Sequence, residues 1–576
     1  MKGYLPMAKR IISFFMATVI CITCFVVPAS AVQTLEEKYD ERMAQVSELL
    51  LDDGDTVEAV KKLGRATVYI SVSDGKNRAF TVWASTKRLS SALNKAFEKA
   101  KNTGVTPEWF KLEVVTNIQS VDRGEFKELV GKQTKGGLRR GISFIETFGQ
   151  SIPEGHINAE GMLDYETAEL NLEKINAYFK RNKKKQLSEI PESFIVFDSQ
   201  SYFSDGTAYK LLNGSRNSIA RRDFPTDKAG LEQLAEMSSS YLASLCDNSG
   251  KFIYGYYPID NEKMEDYNII RHAGTVWNLI LQYDMTKNDE LVPAIDRALD
   301  YLDGYIQYKD KNTAFLVNSR SLNVGGNGIS LLAYTAYADI FNTDKYNDVI
   351  KALANGIIFM QKDSGAFTHA LKKSDYTVYK DYIVIFYDGE AMYGLCRAYS
   401  VLGTKKFLHA AEKAADYFIG AHYEKENSHW ISYGFNELTK YSPKKKYFNF
   451  GLLNVHGFTK KAYKSATGSP TRGETLGAAF ELYDRLIQSG KSCEMLDEFD
   501  EDMLFKAFEQ RIFYGLNYLM FPESAMYFSD PQTVLNSFAI RESLFRIRID
   551  DIQHFMGGYY LYWKNYDRVK YYTTVN

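Results

Sequence analysis

The feature that most constrains this fold is a helical repeat that begins near residue 226 and continues to the end of the chain. Polar and Gly-containing loops divide this region into about twelve helical segments, and alternate segments begin about 45–60 residues apart. This spacing is typical of a repeat built from helical hairpins, in which each hairpin buries its apolar face against its neighbours.

The segments are of two alternating kinds. Segments 291–308 and 407–419 carry Lys, Asp and Glu on one side, whereas 273–283, 329–340 and 391–402 are rich in Ala, Gly, Leu and Tyr. Because a helix that is apolar all round must be buried, we predict that the second kind is inner and the first kind outer. Six such hairpins close into an (α/α)6 toroid, whereas an open solenoid would need polar caps at both ends.

Residues 32–205 mix strands and helices and therefore predict a smaller α+β domain. The runs 66–72 and 78–83 flank Asp74-Gly75-Lys76-Asn77, which is a hairpin signal, and residues 89–101 have the apolar spacing of a helix. Further strand-like runs cover 110–115, 138–145 and 194–197, and a basic helix covers 170–181. We expect a linker over 206–225 and the toroid domain over 226–576.

The first 31 residues have the pattern of a signal peptide. Lys2, Lys9 and Arg10 precede an uncharged apolar stretch over 11–27, and the small residues that follow predict cleavage after Ala31. The alternative is a retained N-terminal anchor, because about 17 apolar residues is the lower limit for crossing a bilayer. We expect an extracytoplasmic protein with no transmembrane segment in the mature chain.

Charge and cysteine content exclude several classes of function. The chain has 70 Lys and Arg against 72 Asp and Glu, so it lacks the basic excess of a nucleic-acid-binding protein. Cys246, Cys396 and Cys493 remain after cleavage, and three cysteines cannot form a disulfide scaffold. There is no HExxH motif and no cysteine pair with metal spacing, so neither a metal nor a cofactor is expected, although a Ca²⁺ site at a carboxylate cluster stays open.

Polar and aromatic residues collect where the predicted inner helices begin. Inner helices of a toroid run parallel, so their N-terminal ends meet at one mouth. An Asp at such a position is explained by helix capping. A positive charge there is unfavourable, because it faces the positive end of the helix dipole, yet three of these positions carry Arg271, Arg472 and Arg548. The candidates at or near these ends are Arg271, His272, Asn327, Asp388, Glu390, His429, Trp430, Glu437, Arg472, Glu474, Asp550, Asp551 and His554.

A polar mouth with aromatic walls suits an oligosaccharide or polysaccharide, because aromatic faces stack on sugar rings and paired carboxylates supply an acid and a base. We expect Asp388 or Glu390 to be the acid and Asp550 or Asp551 to be the base, with the remaining candidates binding substrate. The loops before the inner helices add Tyr256, Tyr257, Phe367, His369, Tyr376, Tyr379 and Tyr382.

Residues 226–565 resemble the six-hairpin, (α/α)6-toroid carbohydrate-active superfamily. The resemblance lies in RHAGTVWNLI (271–280), GGNGISLLAYTAYADI (325–340), YDGEAMYGLCRAYSVLG (387–403), HWISYGFNELTKY (429–441) and RIDDIQH (548–554). Similar proteins include glycoside hydrolases, polysaccharide lyases, sugar epimerases and non-hydrolytic relatives, so the resemblance implies a glycan ligand more than a reaction. The N-terminal region is similar to AMMECR1-like domains in its order of strands and helices, but it lacks their Cys-bearing motif.

Taken together, the sequence predicts a secreted glycoside hydrolase that uses paired carboxylates at the toroid mouth. One alternative is a uronic-acid glycan epimerase or lyase, in which Arg271, Arg472 and Arg548 hold the sugar carboxylate and a Tyr or His exchanges the α-proton. A second alternative is a non-catalytic protein of glycan binding or cell-envelope polysaccharide assembly. A third makes the toroid a protein-docking scaffold.

Overall fold

The computed structural model describes residues 33–133, 137–212, 220–379 and 384–575. The predicted signal peptide, its cleavage site after Ala31 and the loop residue Tyr382 lie outside these ranges. Among the described residues, none of the helices has both the length and the apolar character needed to cross a bilayer.

The N-terminal region folds as a seven-stranded antiparallel sheet with helices packed on it. The strands are β1 (Ala66–Ser73), β2 (Phe80–Thr86), β3 (Trp109–Asp122), β4 (Gly141–Ser143), β5 (Ser151–Ile152), β6 (Ser193–Ser204) and β7 (Ala208–Lys210). The helices are α1 (Leu35–Asp52), α2 (Gly54–Lys62), α3 (Leu89–Lys101), α4 (Arg123–Gln133), α5 (Glu154–Ala159) and α6 (Leu172–Arg181). The strand order is β2-β1-β3-β6-β4-β5, and β7 pairs with β6. We call this region the sheet domain.

The hairpin signal and the helix over 89–101 correspond to β1, β2 and α3. The central strands β3 and β6 extend well beyond the predicted runs, since they pair with each other from Phe110–Ser204 to Asp122–Ser193. The second half of β3 is largely exposed and therefore lacks the apolar alternation that marks a half-buried strand. Main-chain pairing with β6, the buried Val121 side chain and a hydrogen bond from Asn117 to Asp198 support this extension.

The C-terminal region is a closed ring of helical hairpins. In chain order its helices are α7 (Lys228–Leu245), α8 (Ile269–Thr286), α9 (Val292–Asp303), α10 (Val324–Ile340), α11 (Asn347–Met360), α12 (Ile385–Leu402), α13 (Lys405–Gly420), α14 (His429–Tyr441), α15 (Lys445–His456), α16 (Phe458–Lys464), α17 (Thr471–Gln488), α18 (Glu501–Gly515), α19 (Pro522–Ala525), α20 (Ile549–Lys564) and α21 (Tyr566–Val575).

The six inner helices are α8, α10, α12, α14, α17 and α20. Each packs against two inner neighbours, and α20 returns to pack against α8, which closes the ring. The outer helices α7, α9, α11, α13, α15 and α18 cover them from outside. The predicted fold class, an (α/α)6 toroid preceded by a smaller α+β domain, is therefore confirmed, and so are the inner and outer assignments.

Glycines in the second turns bring neighbouring inner helices close together. A Cβ atom on Gly328 of α10 would collide with the main chain of Glu390 in α12, and one on Gly389 would collide with the main chain of α14 at Trp430. One on Gly274 of α8 would collide with the Gln553 side chain of α20. Because each contact joins the first two turns of one helix to the first two turns of the next, the inner helices run parallel and their N-terminal ends share one mouth.

The connections that enter the inner helices form small sheets around the mouth. The strands are β8 (Gly255–Tyr257), β9 (Glu262–Lys263), β10 (Ile306–Asp310), β11 (Thr313–Asn318), β12 (Ser321–Asn323), β13 (Ala370–Lys372) and β14 (Ile547–Arg548). Strand β14 pairs with β8 and places Arg548 opposite Gly255, while β10–β13 form a four-stranded antiparallel sheet. The mouth residues are therefore supported by paired strands as well as by helices.

The sheet domain docks on the connection between α18 and α20. The Ala79 N–H donates to the Met526 carbonyl over 2.7 Å, and the Tyr527 hydroxyl reaches into the sheet domain to donate to Glu113 over 3.1 Å. Arg222, which precedes α7, forms an ion pair with the fully buried carboxylate of Glu523 at 2.8 Å. These buried polar contacts hold the two parts of the chain against each other.

Replacing Gly328 by alanine tests the close helix contact. The added methyl group has no room against the Glu390 main chain, so Gly328→Ala should lower the free energy of unfolding by about 1–3 kcal/mol. Gly420→Ala is the matched control, because a Cβ there meets nothing within 4 Å and should leave stability unchanged or raise it by up to about 1 kcal/mol. Urea unfolding measures the free energy of unfolding of both variants. Equal values for Gly328→Ala and Gly420→Ala would contradict the close contact between α10 and α12.

Candidate functional site

Three side chains from three inner helices meet at the mouth. His429 is the first residue of α14, Glu474 lies in the first turn of α17, and His554 lies in the second turn of α20. The two imidazole rings are 5.0 Å apart at their centroids and nearly perpendicular, at 89°. His554 Nδ1 donates to Glu474 Oε2 over 2.7 Å, and one potential ligand atom from each of the three residues lies within 4.8 Å of the others. We call these residues the histidine cluster.

The pKa values of the two histidines of the cluster are shifted in opposite directions. Burial lowers the pKa of His554, but the Glu474 carboxylate outweighs burial, so the net shift of the His554 pKa is upward. Burial and the neighbouring His554 lower the pKa of His429 well below its ordinary value. His429 Nε2 is buried and has no hydrogen-bond partner in the described part of the chain. The cluster thus places an imidazole that favours its neutral form beside one whose protonated form Glu474 stabilises.

Aromatic side chains surround the cluster on two sides. Trp430 lies 4.7 Å from His429 and 6.0 Å from both His554 and Trp277, measured between ring centroids, and both tryptophans are buried. Phe386, at the start of α12, has its ring 6.0 Å from His429 and is 53% exposed. The two tryptophans are shielded from solvent, and Phe386 presents an exposed aromatic face.

Asp550 and Asp551, the predicted bases, are ion-paired with arginines. Arg271 Nε lies 2.9 Å from Asp550, and Arg548 pairs with the same carboxylate. Arg546 Nη2 lies 2.8 Å from Asp551. Burial and the charge of Asp550 nevertheless raise the pKa of Asp551. These carboxylates offset arginines placed against the positive ends of helices, so they have a clear structural role.

The predicted acids, Asp388 and Glu390, have different surroundings. Asp388 is fully buried and accepts hydrogen bonds from His369 Nε2 over 3.0 Å and from the Tyr423 hydroxyl over 3.1 Å. His369 Nδ1 accepts from the Val384 N–H over 2.8 Å, so its Nε2 carries the donated hydrogen. Glu390 Oε2 is buried without a partner among the described residues, and burial, then Asp388, raise the pKa of Glu390 well above its usual value. Burial therefore favours the protonated form of the Glu390 carboxyl group.

His272 and Asn327 connect the inner helices to main-chain groups. His272 is fully buried, with Nδ1 bonded to the Tyr267 hydroxyl over 2.7 Å and Nε2 donating to the Ala298 carbonyl over 2.9 Å. Asn327 donates to the Ala314 and Leu353 carbonyls and accepts from the Leu316 N–H. Both were expected to bind substrate, but their polar atoms are already engaged in the packing of the ring.

Glu437 and Arg472 also lie apart from the histidine cluster. Glu437 is in the second half of α14, where it forms ion pairs with Arg397 at 3.2 Å and with Lys440 at 2.5 Å. Burial raises the pKa of Glu437, but the charges of Arg397 and Lys440 outweigh burial and hold the pKa at about 2. Arg472 donates to Ser465 and Thr467 of the preceding loop. The structure thus brings His429, Trp430, Glu474 and His554 together, while Arg271, Asp550 and Asp551 form an adjoining ion-pair network.

Sequence reasoning missed four residues that shape the mouth: Trp277, Phe386, Tyr423 and Arg546. Phe386 stands in the run Ile385-Phe386-Tyr387, where nothing in the pattern tells the exposed ring from its neighbours. Tyr423 is far from Asp388 in sequence, and Trp277 is one of many apolar residues in α8. Arg546, in contrast, lies only two residues before Arg548, and an Arg-x-Arg-x-Asp-Asp run signals ion pairing.

The pH dependence of stability should reveal the buried His272. Burial lowers its pKa from 6.5 to about 4, so the unfolded chain binds more protons between these values. The contribution of neutral His272 to the free energy of unfolding is fully present above pH 6.5 and is lost as pH falls through 4. The difference between the two pKa values makes this loss about 3 kcal/mol. In urea unfolding from pH 7 to pH 4, His272→Gln should lose less stability than wild type by an amount of this order. Parallel profiles of stability against pH for wild type and His272→Gln would contradict the lowered pKa of His272.

Removing the Glu474 carboxylate should lower the pKa of His554. In Glu474→Gln the charge that outweighs burial is gone, so the imidazole pKa should fall below its wild-type value by about one unit or more. NMR titration of ¹³C-labelled histidine measures this change. Glu390→Gln, which removes a buried carboxyl group that does not contact His554, is the control and should leave that pKa in place.

Comparison with known proteins finds similarity in solved structures only. No family model matches the chain, and no curated protein matches it in sequence. A D-mannose isomerase is 13% identical with a TM-score of 0.44, covering 60% of this chain and all of that one. An unsaturated glucuronyl hydrolase specific for heparin is 14% identical with a TM-score of 0.43, covering 59% and 98%. A cellobiose 2-epimerase from Bacillus thermoamylovorans is 12% identical with a TM-score of 0.41, covering 51% and 89%.

At these TM-scores and identities, nothing about the reaction of this chain follows from the three proteins. The closure of the ring is instead visible in the chain's own inner-helix contacts.

Proposed function

We propose that the protein is an extracytoplasmic, carbohydrate-active enzyme that transfers protons between a sugar and the histidine cluster, as a sugar epimerase or isomerase does. The observation that supports this most is the pair of facing imidazoles: His429 has a lowered pKa and an Nε2 without a partner among the described residues, and His554 has a pKa that Glu474 raises. Acid and base are thus present together before substrate arrives, which general acid–base catalysis requires.

The proposed step moves one proton to His429 and one proton away from His554. His429 Nε2 removes the proton from the sugar carbon next to a carbonyl, while His554 gives its proton to the carbonyl oxygen, so an enediol forms. In epimerisation the enediol turns in the site, His429 returns the proton to the opposite face of the same carbon, and His554 recovers its proton from the same oxygen. In isomerisation His429 delivers the proton to the former carbonyl carbon, and His554 takes the hydroxyl proton from the oxygen of the neighbouring carbon, which becomes the new carbonyl. The product is an epimer or an isomer of the same composition, so no oxidant or co-reactant is needed.

The surrounding residues suit a hydroxyl-rich or acidic sugar. Arg271 is partly exposed at the mouth, where it donates to the Tyr254 hydroxyl over 2.5 Å and its Nε forms an ion pair with Asp550. Phe386 provides the exposed face on which a sugar ring stacks. A proton-transfer enzyme for glycans or free sugars is therefore consistent with both the charge and the aromatic content of the site.

Hydrolysis by paired carboxylates is the second candidate, and Glu390 is the observation that favours it. Burial raises the pKa of its carboxyl group, and Oε2 has no partner among the described residues, as suits a general acid. The partner carboxylates Asp550 and Asp551 are held in arginine ion pairs, which leaves them less free to activate water. This is why we rank proton transfer first.

Proton NMR in D₂O distinguishes these reactions. Mature protein incubated with neutral and acidic sugars and oligosaccharides should incorporate deuterium at the carbon next to the carbonyl. His429→Gln and His554→Gln should each slow exchange by about 10²-fold or more. His422→Gln removes an exposed histidine that pairs with Glu424 and is the matched control, with full activity expected.

Two results would contradict the proposal. One is exchange that persists in both cluster variants. The other is the release of new reducing ends that disappears in Glu390→Gln but not in His429→Gln, which would establish hydrolysis instead.

A further inference from the structure

We propose that Tyr433 is a positioning residue of the histidine cluster, whose hydroxyl holds the Glu474 carboxylate in its charged form and so keeps a proton on His554. Tyr433 lies in the second turn of α14, four residues after His429 and therefore on the same face of the helix. From there its hydroxyl reaches α17 and donates to Glu474 Oε1 over 3.3 Å. The catalytic consequence of this contact rests on the proposed function, whereas its effect on the proton does not.

The Glu474 carboxylate has a separate donor for each of its oxygens. Oε2 accepts from His554 Nδ1 over 2.7 Å, and Oε1 accepts from the Tyr433 hydroxyl. The side chain is fully buried, and a Cβ atom on Gly557 of α20 would lie only 2.3 Å from Oε1. Among the described residues, no other side chain donates a hydrogen bond to this carboxylate. Tyr433 is therefore the one donor that does not itself exchange the proton shared by Glu474 and His554.

A buried histidine–glutamate pair can hold its shared proton on either partner. With the proton on His554 the two groups form an ion pair, and with the proton on Glu474 both are neutral. Burial favours the neutral pair, because it raises the pKa of Glu474 and acts to lower the pKa of His554. The charge and hydrogen bond of His554, and then the hydrogen bond of Tyr433, act against burial at the carboxylate. The Tyr433 hydroxyl thus favours the ion pair.

Aromatic packing gives the Tyr433 hydroxyl a defined place beside Glu474. The ring is 4% exposed and stacks on Tyr393, with centroids 5.2 Å apart and planes at 3°. It also lies 5.8 Å from the rings of both Trp277 and Trp430. Burial and the Glu474 charge raise the pKa of the Tyr433 hydroxyl well above its usual value. The hydroxyl therefore keeps its hydrogen at neutral pH and remains a donor.

The charge on the His554 ring decides how strong an acid it is. Because Nδ1 faces Glu474, the proton that His554 gives to a substrate comes from Nε2. An Nε2 proton is far more acidic on a charged imidazole than on a neutral one, which still carries a hydrogen there when Glu474 holds the shared proton. Tyr433 thus acts on the proposed reaction through Glu474 and His554, without contacting the sugar.

¹⁵N NMR of the mature, histidine-labelled protein at pH 6.5 tests the effect on the proton and needs no sugar. Tyr433→Phe keeps the ring and removes the hydroxyl, so the His554 Nδ1 signal should move toward the value of a bare nitrogen. Tyr393→Phe is the matched control. It removes a hydroxyl from the ring stacked on Tyr433 that has no hydrogen bond to Glu474 in the described part of the chain, so the signal should stay in place. The spectrum of His554→Gln assigns the signal.

Deuterium exchange into a sugar in D₂O tests the catalytic consequence. With a sugar that the wild type exchanges, Tyr433→Phe should slow exchange about three- to tenfold, as expected for the loss of one buried hydrogen bond. Tyr393→Phe should retain the wild-type rate. Unfolding midpoints of both variants establish that the fold persists, and a loss of stability alone would move neither the ¹⁵N signal nor the rate of the folded protein.

Three results would overturn the inference. One is a His554 Nδ1 signal in Tyr433→Phe that matches wild type. Another is an equal movement of the signal in Tyr393→Phe, since packing rather than the hydrogen bond would then be the cause. The third is a signal that moves while exchange in Tyr433→Phe keeps its wild-type rate. If the signal moves as expected but the wild type exchanges no sugar, the proposed function fails and the effect of Tyr433 on the proton stands.

Discussion

Closure of the inner ring is the constraint on which the rest of the structure depends. Six parallel helices can share a mouth only if each approaches its neighbour closely in the first two turns, and Gly274, Gly328 and Gly389 permit this by having no side chain. Once α20 packs against α8, residues that are far apart in sequence become neighbours. His429, Glu474 and His554 come from three separate hairpins and meet because the ring closes.

The mouth also concentrates positive charge, and much of its polar chemistry compensates for that. The N-terminal ends of six helices point to one side, and Arg271, Arg546 and Arg548 add full charges there. Asp550 and Asp551 neutralise part of this charge. Burial raises the pKa of Glu474, although the charge and hydrogen bond of His554 act in the opposite direction.

The sequence predicted the architecture well because hairpin period and helix composition are local properties, and the helix starts it identified do contain the histidine cluster. It could not say which polar residues at those starts are engaged in packing. His272 and Asn327 look like site residues in sequence, yet they bond to main-chain groups of adjoining elements. Likewise the pairing of Asp388 with Tyr423 and the ion pair of Glu437 with Arg397 are tertiary contacts that no periodicity reveals.

The protonation states of the two facing histidines are the centre of this account, and ¹⁵N NMR of histidine-labelled wild-type protein at pH 6.5 observes them directly. At that pH an ordinary imidazole is half protonated. The account predicts that His554 has both ring nitrogens protonated and that His429 has one bare nitrogen, with neither half titrated. Two neutral rings, or two charged rings, would contradict it.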